Sequence, residues 1–301
     1  MSIVSPATPQ SRSGDSRVGD GLAGPESVAW KINREVVLLV GWGRAILLQV
    51  AHPMVAQGVA DHSLFVKSPH LRRQRLQQTL SAMLALTFGT REEVEAAARG
   101  INAIHDHVRG ELREAVGTHP AGARYSAHDP ALLRWVHATL LESFPLAYRT
   151  FIGPLSDEEV ERYCREASGL APLLGIPEGY LPTSVAEARA YVREMMASGE
   201  IAVGETARQL ASELLNPHLQ LPSVVRLLLW PFLWLGRLPA IGMLPPEIRR
   251  QYGFSWRRRH EVALRVVAAT SRCVLPHLPP LLRHWPAARR AMERRRQYAE
   301  R

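Results

Sequence analysis

The chain reads as an all-α protein, a single globular multi-helix domain, on two observations. Helix-start and helix-stop devices succeed one another along its length, and no stretch alternates apolar and polar residues between hairpin turns, as a sheet of any size requires. Its 301 residues, 46% hydrophobic and 22% charged, are enough for a large core. Residues 1–25 are polar, rich in Ser, Gly and Pro, and lack an apolar signal core, so a loose tail is expected there and the helical domain over 26–301.

Taken in order, Glu26 to Gln57 is rich in Val, Leu and Ile, with Gly41 and Gly43 interrupting it and Pro53 breaking it, which predicts two helical pieces. Ser68 and Pro69 start a segment that runs to Thr87 before Gly89. Thr90 with Glu93 forms a capping box for a helix from Arg91 to about Val108, closed by Gly110. Ser156 with Glu159 and Ser184 with Glu187 repeat the device, and Gly199 ends the helix that carries Tyr191, Met195 and Met196. Glu205 to Leu215 stops at Asn216 and Pro217, and Ser255 caps a long helix reaching Val274.

The central stretch is Tyr125–Phe144. Asp129 accepts from first-turn amides and Pro130 suits the first helical position. On the helix that follows, Leu133, His137, Leu140 and Leu141 share one face at spacings of three and four, and Arg134 lies on the adjoining edge, one turn before His137. A histidine within an apolar face beside a cation can ligate a haem iron while the guanidinium meets a propionate. The same histidine also suits a hydrogen-bonded core position, so the helix alone leaves both roles open.

The formal charge of +9 is unevenly placed. Residues 249–301 hold 14 Arg against 3 Glu, leaving the rest of the chain at a net −2. The basic helices suit water or anionic lipid; without interleaved aromatics on strands or a helix-turn-helix, nucleic acid is a weak reading. Cys164 and Cys273 are too few and too far apart for a disulfide framework, which fits a cytoplasmic protein. Residues 224–244 have the length of a membrane span, but Arg226, Arg237, Pro231 and Pro239 spoil it. A buried helical hairpin or the lining of an apolar ligand pocket, with Trp230, Trp234 and Trp256 nearby, is expected instead, with peripheral membrane contact as the second choice.

Histidines also cluster as His105, Asp106 and His107 near a helix end, and as His52 before Pro53 with Asp61 and His62. Metal sites in helical bundles draw ligands in this way. A rival reading therefore places divalent metals on His52, His105, Asp106 and a later carboxylate such as Asp129 for phosphoester hydrolysis, although Asp129 is already engaged as a cap. No nucleophile elbow or phosphate-binding loop supports a serine hydrolase or a nucleotide site.

Five segments in order, REVVLLVGWGRAILLQVAHPMVAQGVADHS, LTFGTREEVEAAARGINAIHDHVRG, YSAHDPALLRWVHATL, FIGPLSDEEVERYCREA and LPPEIRRQYGFSW, together resemble the MpaB-type oxygenase family. That family includes the latex-clearing rubber oxygenases and the membrane-bound oxygenase of mycophenolic acid biosynthesis. The resemblance implies an all-helical fold around one haem b, and dioxygen chemistry on an apolar small molecule that cleaves a carbon–carbon double bond of an isoprenoid chain. It assigns the axial ligand to His137 and its partner arginine to Arg134, and puts His105, Asp106 and His107 at the distal side. Arg44 and His52 are assigned to propionate pairing and haem-edge packing. Where the rubber oxygenases carry an acidic residue this chain has Thr87, so the base differs. A non-catalytic haem- or lipid-binding protein at the membrane surface is the remaining alternative.

Overall fold

A computed structural model describes residues 24–62, 69–215 and 237–300. Its elements are α1 (Val28–Asn33), α2 (Leu39–Gln49), α3 (Pro53–His62), α4 (Pro69–Phe88), α5 (Arg91–His105), strands β1 (Arg109–Glu111) and β2 (Arg124–Ser126), α6 (Pro130–Phe151), α7 (Asp157–Ser168), α8 (Val185–Ala197) and α9 (Glu205–Leu215). Helical residues 237–242 and the helices Pro246–Gln251, Arg258–Val274, Pro280–Arg283 and Pro286–Ala299 follow. Apart from one two-stranded antiparallel ribbon the described residues are helices and connections, so the chain is all-α as its sequence implies. Most of the 224–244 stretch, with Trp230 and Trp234, lies outside the described residues.

Local chemistry accounts for most helix starts. Thr90 Oγ1 accepts from the Glu93 amide while the Glu93 carboxylate accepts from the Thr90 amide, and Ser156 and Glu159 do the same. Ser184 caps Glu187, but the Glu187 carboxylate takes the amide of Thr183 rather than that of Ser184. Asp129 Oδ1 accepts from Ala131 N at 2.8 Å with Pro130 at the first position. The helix Arg258–Val274 departs from expectation. It starts after Arg257, whose amide donates to His260 Nδ1 at 2.9 Å, so an imidazole replaces the serine cap predicted at Ser255. α5 ends at His105, and Gly110 lies in β1, where a Cβ would come within 2.6 Å of the Tyr125 hydroxyl.

The main seam joins α2 to α6. Gly41 and Gly43 do not interrupt α2; they let it approach its neighbours. A Cβ on Gly41 would lie 3.0 Å from Ala147 Cβ and 3.2 Å from the Ser143 carbonyl, and one on Gly43 would lie 3.1 Å from Ala240 Cβ. Polar contacts fix the register of the seam. Arg44, 2% exposed, donates from Nε to Met243 O and from its terminal nitrogens to Ser143 Oγ and the Glu142 carboxylate. Carbonyls at the end of α2 take side-chain donors: the Tyr252 hydroxyl reaches Leu47 O at 2.7 Å, and Trp135 Nε1 joins the Ala51 amide on Leu48 O at 3.2 Å. α6 thus runs through two apolar clusters, one with Leu47, Leu48, Ala207 and Ile248, the other with Ile32, Leu38, Tyr148 and Tyr163.

Among the described residues no single helix is long and apolar enough to cross a membrane. The segments Val36–Gln49 and Pro53–His62 qualify only as a pair, and they meet at 106°. Their inward faces carry fully buried Leu38, Ala45, Leu47 and Leu48. The ends of the chain are tied by Glu35, fully buried, which receives Arg283 Nε at 2.7 Å, while Trp285 N donates to Arg34 O.

Two outcomes follow for stability. Gly41→Val forces α2 from α6 and should lower the unfolding free energy by about 1–3 kcal/mol. Gly100→Ala, where an added Cβ meets nothing, should be neutral or stabilising by up to about 1 kcal/mol; denaturant unfolding of both variants checks the contrast. Asp61 holds α3 to the ribbon by accepting from Gln57, the Tyr125 hydroxyl and Arg113. Burial alone would raise its pKa, but those hydrogen bonds and the Arg113 charge hold it below the ordinary value. Its contribution is therefore present above the unfolded-chain pKa of about 4 and lost as pH falls through the lower folded value. Asp61→Asn should cost about 1–3 kcal/mol at pH 7, and the gap from wild type should close on acidification toward pH 3.

Candidate functional site

α6 turns one face to the α2 seam through Trp135, Ala138, Thr139 and Ser143, and the opposite face to a cavity. The four residues that the helical period groups together, Leu133, His137, Leu140 and Leu141, all line that cavity, with Val136 and Phe144 beside them. Its volume is about 580 Å³, within the usual range for small-molecule sites, and a second space of about 520 Å³ adjoins it across Gln49, Ile104, His105 and Leu133. The walls are mostly apolar, the first mainly from α4, α5, α6 and α7 and the second mainly from α2, α3, α6 and α9, and among the described residues no Arg or Lys lines either space.

His137 is the chemically distinctive group. Protein encloses the ring, and burial pushes its pKa down to about 4, so at neutral pH the imidazole is uncharged. Nε2 is buried without a hydrogen-bond partner. Arg134, three residues earlier, stands between two aromatic rings, its guanidinium carbon 4.3 Å from the Tyr191 ring centre and 5.3 Å from that of Tyr180. Its Nε is likewise buried and unpartnered. Cation–π contact keeps the charge in place without using up its donors. It lies off the cavity wall.

The distal candidates separate. His105, the last residue of α5, lines both spaces and sets its ring edge-on to His128 at 5.9 Å. Asp106 is exposed and faces His128, Oδ1 to Nε2 at 2.7 Å. His107 turns outward, its Nδ1 2.8 Å from Ala103 O. Thr87 lines the cavity with its hydroxyl donating to Met83 O. Arg44 sits in the α2–α6 seam described above, and neither it nor His52 lines either of these two spaces.

His52, 2% exposed, forms a separate group with His119 and Glu200, whose donor atoms all lie within 4.8 Å of one another. Burial, and then the facing His119, lowers the His52 pKa to about 4. The set proposed from sequence for a hydrolytic metal centre does not assemble: His52 meets His119 and Glu200, Asp106 meets His128, and Asp129 caps α6. His119, Glu200, His128, Tyr180 and Tyr191 carried no sequence signal as site residues, because their partners come together only through tertiary packing.

The residues present suit a haem. A neutral buried imidazole with a free nitrogen, a cation with a free donor one turn away, and an apolar cavity are the three things such a group asks of a protein. No curated protein and no solved structure matches the chain. The family described as the ER-bound oxygenase mpaB/B'/rubber oxygenase catalytic domain matches residues 30–273, which cover all the helices named at this cavity. The chain therefore belongs to that family of oxygenase catalytic domains.

Proposed function

We propose that this chain is a haem b-dependent oxygenase that uses dioxygen to oxidise an apolar small molecule, the reaction being cleavage of a C=C bond in an isoprenoid-like chain. The observation that carries the reading is His137 on an apolar cavity wall, with its Nε2 buried and unpartnered. A buried polar atom left without a partner costs about 1–3 kcal/mol, which a ligand bound at that atom offsets. Haem b, when bound, supplies the iron at which dioxygen oxidises the substrate.

The chain's own residues divide the remaining work. His137 holds the iron from α6, and its low pKa keeps the ring in the neutral form that ligation needs. Arg134, one turn before His137 but off the cavity wall, would pair with a propionate by swinging its guanidinium from between Tyr180 and Tyr191 toward the cavity. Leu133, Leu140, Leu141 and Phe144 exclude water and receive an apolar substrate. His105 is the titratable group on the cavity wall that faces solvent through His128 and Asp106, so it can hold or move a proton at its ring nitrogen. Asp106 acts through His128 as a positioning residue, and His107 has no line to the cavity other than through its neighbours. A cytoplasmic location with peripheral membrane contact is consistent with the helix Arg258–Val274, where exposed Val262 and Val266 lie among exposed Arg258, Arg259 and Arg265.

The test is an absorption spectrum of the full chain expressed with haem supply, oxidised and reduced, beside His137→Ala. A Soret band near about 400 nm is expected in the wild type and lost in the variant. A His137→Ala protein with full haem content overturns the assignment. In oxygen-uptake assays with apolar olefins, His105→Ala should keep its haem and lose activity by about 10²–10⁴-fold, the usual weight of a proton-transfer residue.

A further inference from the structure

We propose that His52, His119 and Glu200 form a second metal site, separate from the His137 cavity, that takes one divalent first-row transition ion such as Zn²⁺. Two imidazoles and one carboxylate are borderline donors that select such ions over Ca²⁺ and Mg²⁺, and three protein ligands leave a fourth position to solvent. None of the three residues lines either cavity, so the ion would not touch a molecule bound at His137.

The three side chains are presented by three independently fixed turns. His52 closes the corner between α2 and α3, where its amide donates to Gln49 O, Pro53 starts the next helix, and Met54 N donates to its Nδ1 at 3.2 Å. For Nε2 to ligate, the ring proton must sit on Nδ1, so metal binding would give up this long contact from Met54 N. His119 ends a two-residue turn, exchanging both backbone hydrogen bonds with Val116 across Gly117 and Thr118. Gly117 has φ +61°, and a Cβ there would meet Ala202 Cβ at 2.6 Å and the Gly199 carbonyl at 2.7 Å, so this turn is pressed against the loop that carries Glu200. Glu200 follows Gly199 at φ +82°, and its amide is held by Ser198 Oγ. The rings of His52 and His119 stand 5.1 Å apart, and His119 Nε2 is buried without a hydrogen-bond partner.

The geometry needs little adjustment. Donor atoms within 4.8 Å of one another must close to the separation of about 3.3 Å that tetrahedral ligands take at metal distances of about 2.0–2.1 Å. His119 and Glu200 are only partly buried, so rotation of their side chains can supply that movement while His52, 2% exposed, stays fixed. Partial exposure also gives the ion a route in. Once bound, it would tie the α2–α3 corner, the 116–119 turn and the loop entering α9.

The experiment uses the full chain, haem-supplied and freed of metal by chelating dialysis, and titrates it with Zn²⁺ against a chromophoric competitor. One equivalent should bind to the wild type and to His137→Ala, with affinity at least about ten-fold lower in His119→Ala and in Glu200→Gln, both expected to keep the wild-type Soret band and helical signal. Zn²⁺ should raise the thermal midpoint of the wild type and leave that of His119→Ala unchanged. Binding below a tenth of an equivalent, equal affinity in His119→Ala, or loss of zinc in His137→Ala alone overturns the proposal. A colourless wild type that still binds one zinc through His119 and Glu200 would leave this site standing and remove the haem reading.

Discussion

The close approach of α2 to α6 is the constraint on which the rest of the structure depends. Gly41 lets the two backbones meet where a Cβ would stand only 3.0 Å from Ala147 Cβ and 3.2 Å from the Ser143 carbonyl, and Arg44, Gln49 and Trp135 then fix how far each helix is rotated and slid. Rotation matters because a helix has only one face opposite its packed one. With Trp135, Ala138 and Thr139 turned to α2, the period of 3.6 residues carries His137, Leu140 and Leu141 to the other side, where the cavity is. The position of the imidazole is therefore set by a seam it does not touch.

That seam also explains how a polar residue is tolerated where His137 stands. A buried imidazole is disfavoured when charged, so burial holds it neutral, and the neutral ring still leaves Nε2 without a partner. The α6 side chains that line the cavity beside it, Leu133, Val136, Leu140 and Leu141, are apolar and offer it nothing, and the helix cannot rotate to bring it to solvent without breaking the Arg44 and Trp135 contacts. Arg134 is treated similarly. Two tyrosine rings hold its charge without satisfying its Nε. Two unsatisfied buried nitrogens thus stand within one turn of α6, each at a cost to folding.

The elements legible in the sequence were those fixed by short-range chemistry. Asp129 with Pro130, Thr90 with Glu93 and Ser156 with Glu159 act within three residues, so their types and order were enough to place α6, α5 and α7. The apolar face bearing His137 was equally local, being a period along one helix. Features that depend on what lies across the fold were not legible. Gly41 and Gly43 have the same composition whether they break a helix or pack one against another, and only the nearness of Ala147 and Ala240 decides it. Arg44, which the family resemblance assigned to a propionate, donates here to Glu142, Ser143 and Met243 O across the seam, partners that only the fold brings to it. Likewise Ser255 had the right side chain for a cap, but His260 reached the Arg257 amide and the helix began later.

The division of the histidines follows from the same distinction between local and distant order. His105 lies at the end of a helix whose start is fixed by Thr90, so its place on the cavity wall comes from the length of α5. Asp106 and His107 come after the last helical turn and point elsewhere, which leaves His105 alone to face the cavity while His128 connects it to the surface. His52 stands just past α2, where its ring faces His119 at 5.1 Å and lines neither cavity. One helix pair thus carries two histidines into different surroundings: His137 onto the wall of an apolar cavity, His52 beside His119 and Glu200. Chemistry at one can be altered without moving the other, since what they share is the seam and not a ligand.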